Sequence, residues 1–233
     1  MEHLLSASAR KALVDVGFAV IQGPIPRGDL GVLAEAYDAA VASADPRDVR
    51  VGSTTTRVHD LVNRGPAFDP LYVHPPVLEA CELTIQQPFR LSTMAARTLR
   101  ARSPAQELHV DYEADADGWP MLGFILMLDD FRPDNGATRF VPGSHRSLAR
   151  ACIVERMADC EAQVLACGPA GAMIVYNGSV WHGHSANPSD APRRSIQGAY
   201  IRREAKSGVD LPARMRAETV SRIGAVAKVV LAI

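Results

Sequence analysis

The sequence has no surplus of either charge, no closely paired cysteines and no long apolar run. Its 25 Lys and Arg against 26 Asp and Glu leave a formal net charge of −1 over 233 residues. Proteins held mainly through phosphates concentrate cationic residues that release counterions on binding. That balance points away from nucleic acid and toward a small-molecule substrate as partner. No apolar stretch approaches the length that crosses a bilayer, and no basic segment followed by an apolar one opens the chain. No membrane partner is expected, and the expected location is cytoplasmic. The cysteines, Cys81, Cys152, Cys160 and Cys167, are irregularly spaced with no CxxC pair. Neither a zinc ribbon nor a disulfide framework follows from them, and they read as reduced, mostly buried thiols.

What is present is ordinary for a globular protein with a substantial core: 47% apolar and 22% charged residues. The length fits one domain spanning 1–233. Residues 1–88 read as mostly helical. Helical spacing runs from Ser6 to a stop at Gly17, again over residues 29–41, and again from Pro76 to Ile85. A short apolar strand falls at residues 18–21. Residues 45–70 hold Pro46, Gly65, Pro66 and no sustained periodicity, so they read as a long loop, either a candidate lid or a plain connection across the surface. From residue 89 to 203 the pattern turns to short β-branched and apolar runs at 89–99, 121–128, 138–141, 163–165, 172–176 and 196–201. Pro, Gly, Asn and Asp separate them. The expected fold class is mainly β with flanking helices, a cupin-like jelly roll. Residues 204–233 carry a final helix over 212–229, with Met215, Val220, Ile223, Val226 and Val230 on one face.

The chemistry concentrates in two stretches. In Gln106-Glu107-Leu108-His109-Val110-Asp111, residues two apart on an extended segment project to the same side, so His109 and Asp111 can converge. Alone, such a pair more often marks a surface or hydrogen-bonded histidine than a metal ligand. The second stretch leads an apolar strand through a turn into Trp181-His182-Gly183-His184. Two imidazoles and one carboxylate with open positions make the facial triad of non-haem iron(II) oxygenases. His182 and His184 share strand parity, and pattern alone does not separate them. Downstream, Arg193 and Ser195 offer a guanidinium and a hydroxyl that can grip a distal carboxylate, although adjacent arginines are also common as solvated surface pairs.

Taken together, HxD, then Asn135-Gly136-Ala137-Thr138-Arg139-Phe140-Val141-Pro142-Gly143-Ser144-His145, then His182 with Asn187 and Arg193 at fixed distances, resemble the phytanoyl-CoA dioxygenase family over roughly residues 12–203. The resemblance implies a double-stranded β-helix with iron(II) held by His109, Asp111 and His182. It implies 2-oxoglutarate bound through Arg193, with Ser195 and Thr138 as helpers, and dioxygen as the oxidant, with ascorbate as an assay reductant. It selects His182 over His184, leaving His184 close to the cosubstrate. Related halogenating enzymes lack the carboxylate that Asp111 supplies, so hydroxylation of an unactivated C–H bond, or another hydrogen-abstraction reaction, is the implied outcome rather than halogenation. Two alternatives stay open: a cupin-like metalloenzyme that does not use 2-oxoglutarate, and a non-catalytic metal-binding or sensing jelly roll. Substrate contacts are expected from Arg57, His59, Tyr112, Trp119 and Arg139, and His145 is expected to bond turn or neighbouring backbone. The family name carries no expectation of an acyl-CoA substrate, because no glycine-rich phosphate cradle is present.

Overall fold

Caps and glycine punctuation set the first elements. The Ser6 hydroxyl accepts from the Ala9 amide at 3.1 Å, satisfying one of the free donors of the first turn, and α1 (Ala7–Asp15) follows. Gly17, at φ +95°, turns the chain into β1 (Phe18–Gln22). Then come α2 (Leu30–Ala42), β2 (Val49–Val51), β3 (Thr55–Val58), α3 (Asp69–Tyr72), α4 (Pro75–Ile85) and β4 (Phe89–Leu99). The rest are β5 (Met121–Met127), β6 (Thr138–Phe140), β7 (Val164–Ala166), β8 (Ala172–Asn177), β9 (His182–His184), β10 (Arg193–Arg202), α5 (Leu211–Arg214), α6 (Ala217–Arg222) and α7 (Ala225–Leu231). The structure, a computed structural model, describes residues 3–146 and 162–233. Cys152 and Cys160 lie outside the described residues; Cys81 is buried and Cys167 exposed, and both are free.

Two antiparallel sheets face each other in a double-stranded β-helix. The larger runs β1-β8-β5-β10-β4-β3-β2 and the smaller β7-β6-β9. Single bridges Ser103↔Asn187 and His109↔His182 attach the 103–109 segment alongside β9. Alternation along each strand divides the larger sheet into two faces. Met94, Leu122, Phe124, Leu126, Met173, Val175 and Tyr200 join Leu33, Tyr37 and Val77 of the helices in the main core. Ile125, Met127, Ile174 and Tyr176 pack instead on Phe131, Phe140 and Val180 between the sheets. β5 is apolar on both faces because both are covered. At the other end of the inner face a cavity of about 310 Å³ opens, lined by Thr93, Ala95 and Arg97 of β4 and by Arg193, Gln197 and Ala199 of β10.

Two expectations need correction. Residues 45–70 are not a free lid: β2 and β3 form a hairpin that edges the larger sheet, and Leu61, Val62 and Phe68 beyond it are fully buried. The β-branched residues on either side of Gly52-Ser53 are the hairpin signal, and the prolines and glycine further on obscure it. The single C-terminal helix is three short ones. Met215 and Ile223 adopt extended ψ values of 129° and 147°, which break the helical periodicity. Val226 consequently points outward at 57% exposure.

An ionic seam ties this tail to the corrected segment. Asp48 pairs with Arg64 at 3.0 Å and with Arg214, Asp60 with Arg216 at 3.3 Å, and Asp69 with Arg222 at 2.8 Å. Asp48 is only 4% exposed, so removing it strands two guanidiniums. Asp48→Ala is expected to lower stability by about 2–4 kcal/mol, read from the urea midpoint at unchanged slope.

His145 supplies a pH dependence. Its Nε2 donates to the Val14 carbonyl at 3.0 Å, while Nδ1 is buried without a partner. Protonation would place a buried donor there with no acceptor, and desolvation accordingly lowers its pKa despite the Val14 bond. A histidine lowered in the fold contributes stability that is complete above its unfolded pKa of about 6.5 and is lost as pH falls below it. Urea unfolding should therefore show stability declining on acidification below that pH, and His145→Gln should flatten the decline.

Candidate metal centre

Backbone pairing brings the two distant stretches together. The His109 amide donates to the His182 carbonyl at 3.0 Å, and the His182 amide returns the bond at 2.9 Å. Two residues on, the amides of Asp111 and Tyr112 both donate to the Gly178 carbonyl. Each imidazole is then oriented by its own backbone. Nδ1 of His109 lies 3.1 Å from the Glu107 carbonyl and Nδ1 of His182 lies 2.9 Å from that of Val180. A carbonyl only accepts, so Nδ1 carries the proton in both rings and Nε2 presents a lone pair. Both Nε2 atoms face Asp111, each 3.6 Å from one of its carboxylate oxygens. The three side chains offer ligand atoms that all lie within 4.8 Å of one another, an arrangement one ion can bridge.

Tyr176 fixes the carboxylate. Its hydroxyl donates to Asp111 Oδ2 at 2.7 Å, and its ring lies over His182 with centroids 4.8 Å apart. The ring has that position because Gly123 is its cross-strand neighbour; a Cβ there would fall 2.2 Å from it. Desolvation opposes ionisation of Asp111, but the charge of His182 and His109 when protonated, together with the Tyr176 hydroxyl bond, outweighs it and holds the group well below the usual carboxylate range. Burial lowers His182, which favours the neutral, ligating imidazole.

Arg193 sits at the deep end of the same cavity, 2% exposed. Its guanidinium carbon lies 3.8 Å from the centroid of the Phe131 ring, and its Nε and Nη1 are buried with no hydrogen-bond partner. Desolvation, with Arg97 nearby, pushes its pKa down to about 9. A buried cation with two unused donors is matched to a carboxylate of a ligand. Thr138 also lines the cavity. Ser195 does not: its hydroxyl donates to the Arg97 carbonyl at 3.2 Å.

The rival histidine is separated by its hydrogen bonds. His184 Nδ1 donates to the Ser185 carbonyl and Nε2 accepts from the Thr54 hydroxyl, both at 2.9 Å, which leaves no lone pair for an ion. It lines the cavity beside Arg193. Of the expected substrate contacts, Arg57, His59 and Tyr112 line the cavity. Trp119 instead packs on His145, and Arg139 donates to Gln163 and to the Gln106 carbonyl. Sequence reading missed Arg97, Gln197, Tyr176 and the rim residues Lys206 and Ser207. For Arg97 the alternation of Thr93, Ala95 and Arg97 along one strand was the available signal.

The fold and site define a jelly-roll protein with a two-histidine, one-carboxylate centre and a buried arginine beside it. A family model described as phytanoyl-CoA dioxygenase (PhyH) matches residues 13–195, and the chain belongs to that family. Dioxygenase cdmA of Talaromyces verruculosus is 36% identical over 106 residues, covering 40% of this chain and 33% of that protein. Dioxygenase FrzG of a Cladobotryum species is 28% identical over 194 residues, covering 75% of this chain and 63% of that protein. The chain thus spans from a third to under two-thirds of the length of these two relatives. Among solved structures, EctD from S. alaskensis with 2-oxoglutarate and 5-hydroxyectoine superposes with a TM-score of 0.72 at 17% identity, covering 96% of this chain and 86% of that one.

Tyr176→Phe keeps the ring and deletes the bond to Asp111. It is expected to weaken metal binding about tenfold or more, with little change in unfolding temperature, as measured by competition against a chromogenic chelator. Gly123→Ala, which displaces the ring itself, should weaken binding at least as much.

Proposed function

We propose that the protein is an iron(II)- and 2-oxoglutarate-dependent dioxygenase that hydroxylates an unactivated C–H bond of a small-molecule substrate. The substrate, 2-oxoglutarate and dioxygen would give the alcohol, succinate and carbon dioxide. The single observation carrying this reading is Arg193, a buried guanidinium with unused donors in the cavity that also holds the triad. A metalloenzyme without a diacid cosubstrate gives that buried charge no counterpart.

His109, Asp111 and His182 would hold the iron, and the iron with dioxygen would supply the oxidising power when bound. The protein's own contribution is placement. Tyr176 keeps one oxygen of Asp111 engaged, so the carboxylate holds a fixed orientation. Arg193 anchors the far carboxylate of 2-oxoglutarate, with the Thr138 hydroxyl on the same wall. The apolar inner residues Ala95, Ile125 and Ala199 exclude water around the reacting carbon, which limits side reactions.

Protein incubated with iron(II), ascorbate and 2-oxoglutarate should form succinate slowly even without substrate, and His109→Ala or Asp111→Ala should abolish it. Wild-type rates in both variants would overturn the ligand assignment. 2-Oxoglutarate should raise the unfolding temperature of the metal-loaded protein. Arg193→Ala should weaken that binding about a hundredfold, the loss of two charge-assisted hydrogen bonds.

A further inference from the structure

Two guanidiniums of the cavity have no counter-charge, and together they define the substrate's chemistry. Arg57 on β3 and Arg97 on β4 stand directly opposite one another in the antiparallel ladder. Their side chains therefore leave the same face of the sheet side by side, with Cβ atoms about 5 Å apart, and like charges so placed repel. Both line the main cavity and the adjoining opening beside Gly52 and Thr55. In each, Nε is buried without a hydrogen-bond partner.

Arg97 is held like part of a receptor. Nη1 donates to Gln197 Oε1 at 3.0 Å and Nη2 to Gln106 Oε1 at 2.9 Å. Neutral amides orient the guanidinium and leave its charge whole. Burial, with the Arg57 charge beside it, pushes its pKa down to about 10. Among the described residues Asp111 is the one carboxylate lining the cavity. Glu107 lines the adjoining opening and makes no ion pair with either arginine.

The charge count rests on the proposed function. Iron(II) and the guanidiniums of Arg57, Arg97 and Arg193 bring five positive charges to the loaded cavity, and Asp111 with the two carboxylates of 2-oxoglutarate brings three negative ones. Two positive charges remain however the pairs are drawn. Buried charge without a partner is costly, and an anion is what relieves it. We propose that the substrate carries an oxyanion group, a carboxylate or a phosphate, which seats against the Arg57–Arg97 pair while its reacting carbon faces the triad. Lys206 at the cavity rim adds to the attraction that draws such a molecule in.

The test uses the full chain loaded anaerobically with nickel(II) and 2-oxoglutarate, titrated calorimetrically with phenylacetate, phenyl phosphate and neutral phenylacetamide. At least one acid should bind with 2-oxoglutarate retained, about tenfold or more tighter than the amide, and the tighter acid distinguishes carboxylate from phosphate. Arg57→Gln and Arg97→Gln should each weaken acid binding about tenfold. Arg57→Gln should also raise the unfolding temperature of the ligand-free protein, because it relieves the cross-strand repulsion at a side chain that makes no hydrogen bond. The proposal is overturned if acids and amide bind alike, if neither substitution weakens acid binding, or if the acids compete with 2-oxoglutarate, which would give the pair to the cosubstrate. Absence of 2-oxoglutarate binding would instead bring down the dioxygenase reading on which the count depends.

Discussion

The mutual backbone bonds between His109 and His182 are the contact on which the centre depends. They join an irregular segment, 103–109, to the edge of the smaller sheet. Neither side of that contact is a long strand: β9 spans three residues. Its stability is borrowed from the cores on either side, where burial of β5 and β8 between helices and the smaller sheet supplies the energy that short ladders lack. The imidazoles inherit their orientation from this pairing, because each Nδ1 is satisfied by a carbonyl two residues earlier in its own segment. Rigidity at the proposed ligands is thus a property of the main chain, and side-chain packing adds only the final restraint through Tyr176.

The same cavity is electrostatically unfinished. Most buried arginines in this fold are paired or tied to oxygen acceptors, as Arg139 is by Gln163 and the Gln106 carbonyl, and Arg202 by Asp115 at 2.7 Å. Arg193 and Arg57 have no such acceptor, Arg97 has only neutral amide oxygens, and the three line one cavity. A fold that buries cationic groups without partners gives up stability there, and sites that do so are matched to ligands bringing the missing charge. On the proposed reading, the apolar wall around the centre and the guanidiniums beyond it would divide the labour, one excluding water and the other fixing orientation.

Much of this was legible in the sequence because the relevant signals are local. HxD on an extended segment, the strand-turn-histidine run and the downstream arginine each encode a spacing, and the short punctuated runs encode a jelly roll. What stayed hidden depends on pairing across the chain. Whether His182 or His184 faces the carboxylate is decided by Thr54, which occupies His184 Nε2 from far along the sequence. Gly123 has no local reason to be glycine; only the ring of Tyr176 across the ladder requires it. The hairpin of β2 and β3 was obscured because its partner strand, β4, lies beyond two helices, so a short β-branched run read as loop.

That hairpin matters for more than the fold. It delivers Arg57 and, just past its end, His59 to the cavity, and the residues on either side of it are fastened to the C-terminal tail by Asp48, Asp60 and Asp69. The tail is thereby joined to the cavity's outer wall without lining it deeply: Arg214, Arg216 and Arg222 each hold a carboxylate of the segment that carries that wall. Because the triad rests on β9 and the 103–111 segment, changes in the hairpin and tail would reshape the proposed substrate side while leaving the triad where it is. On the proposed reading, a jelly roll built this way would separate the part that holds the metal from the part that selects the substrate, with the ionic seam on the selecting side.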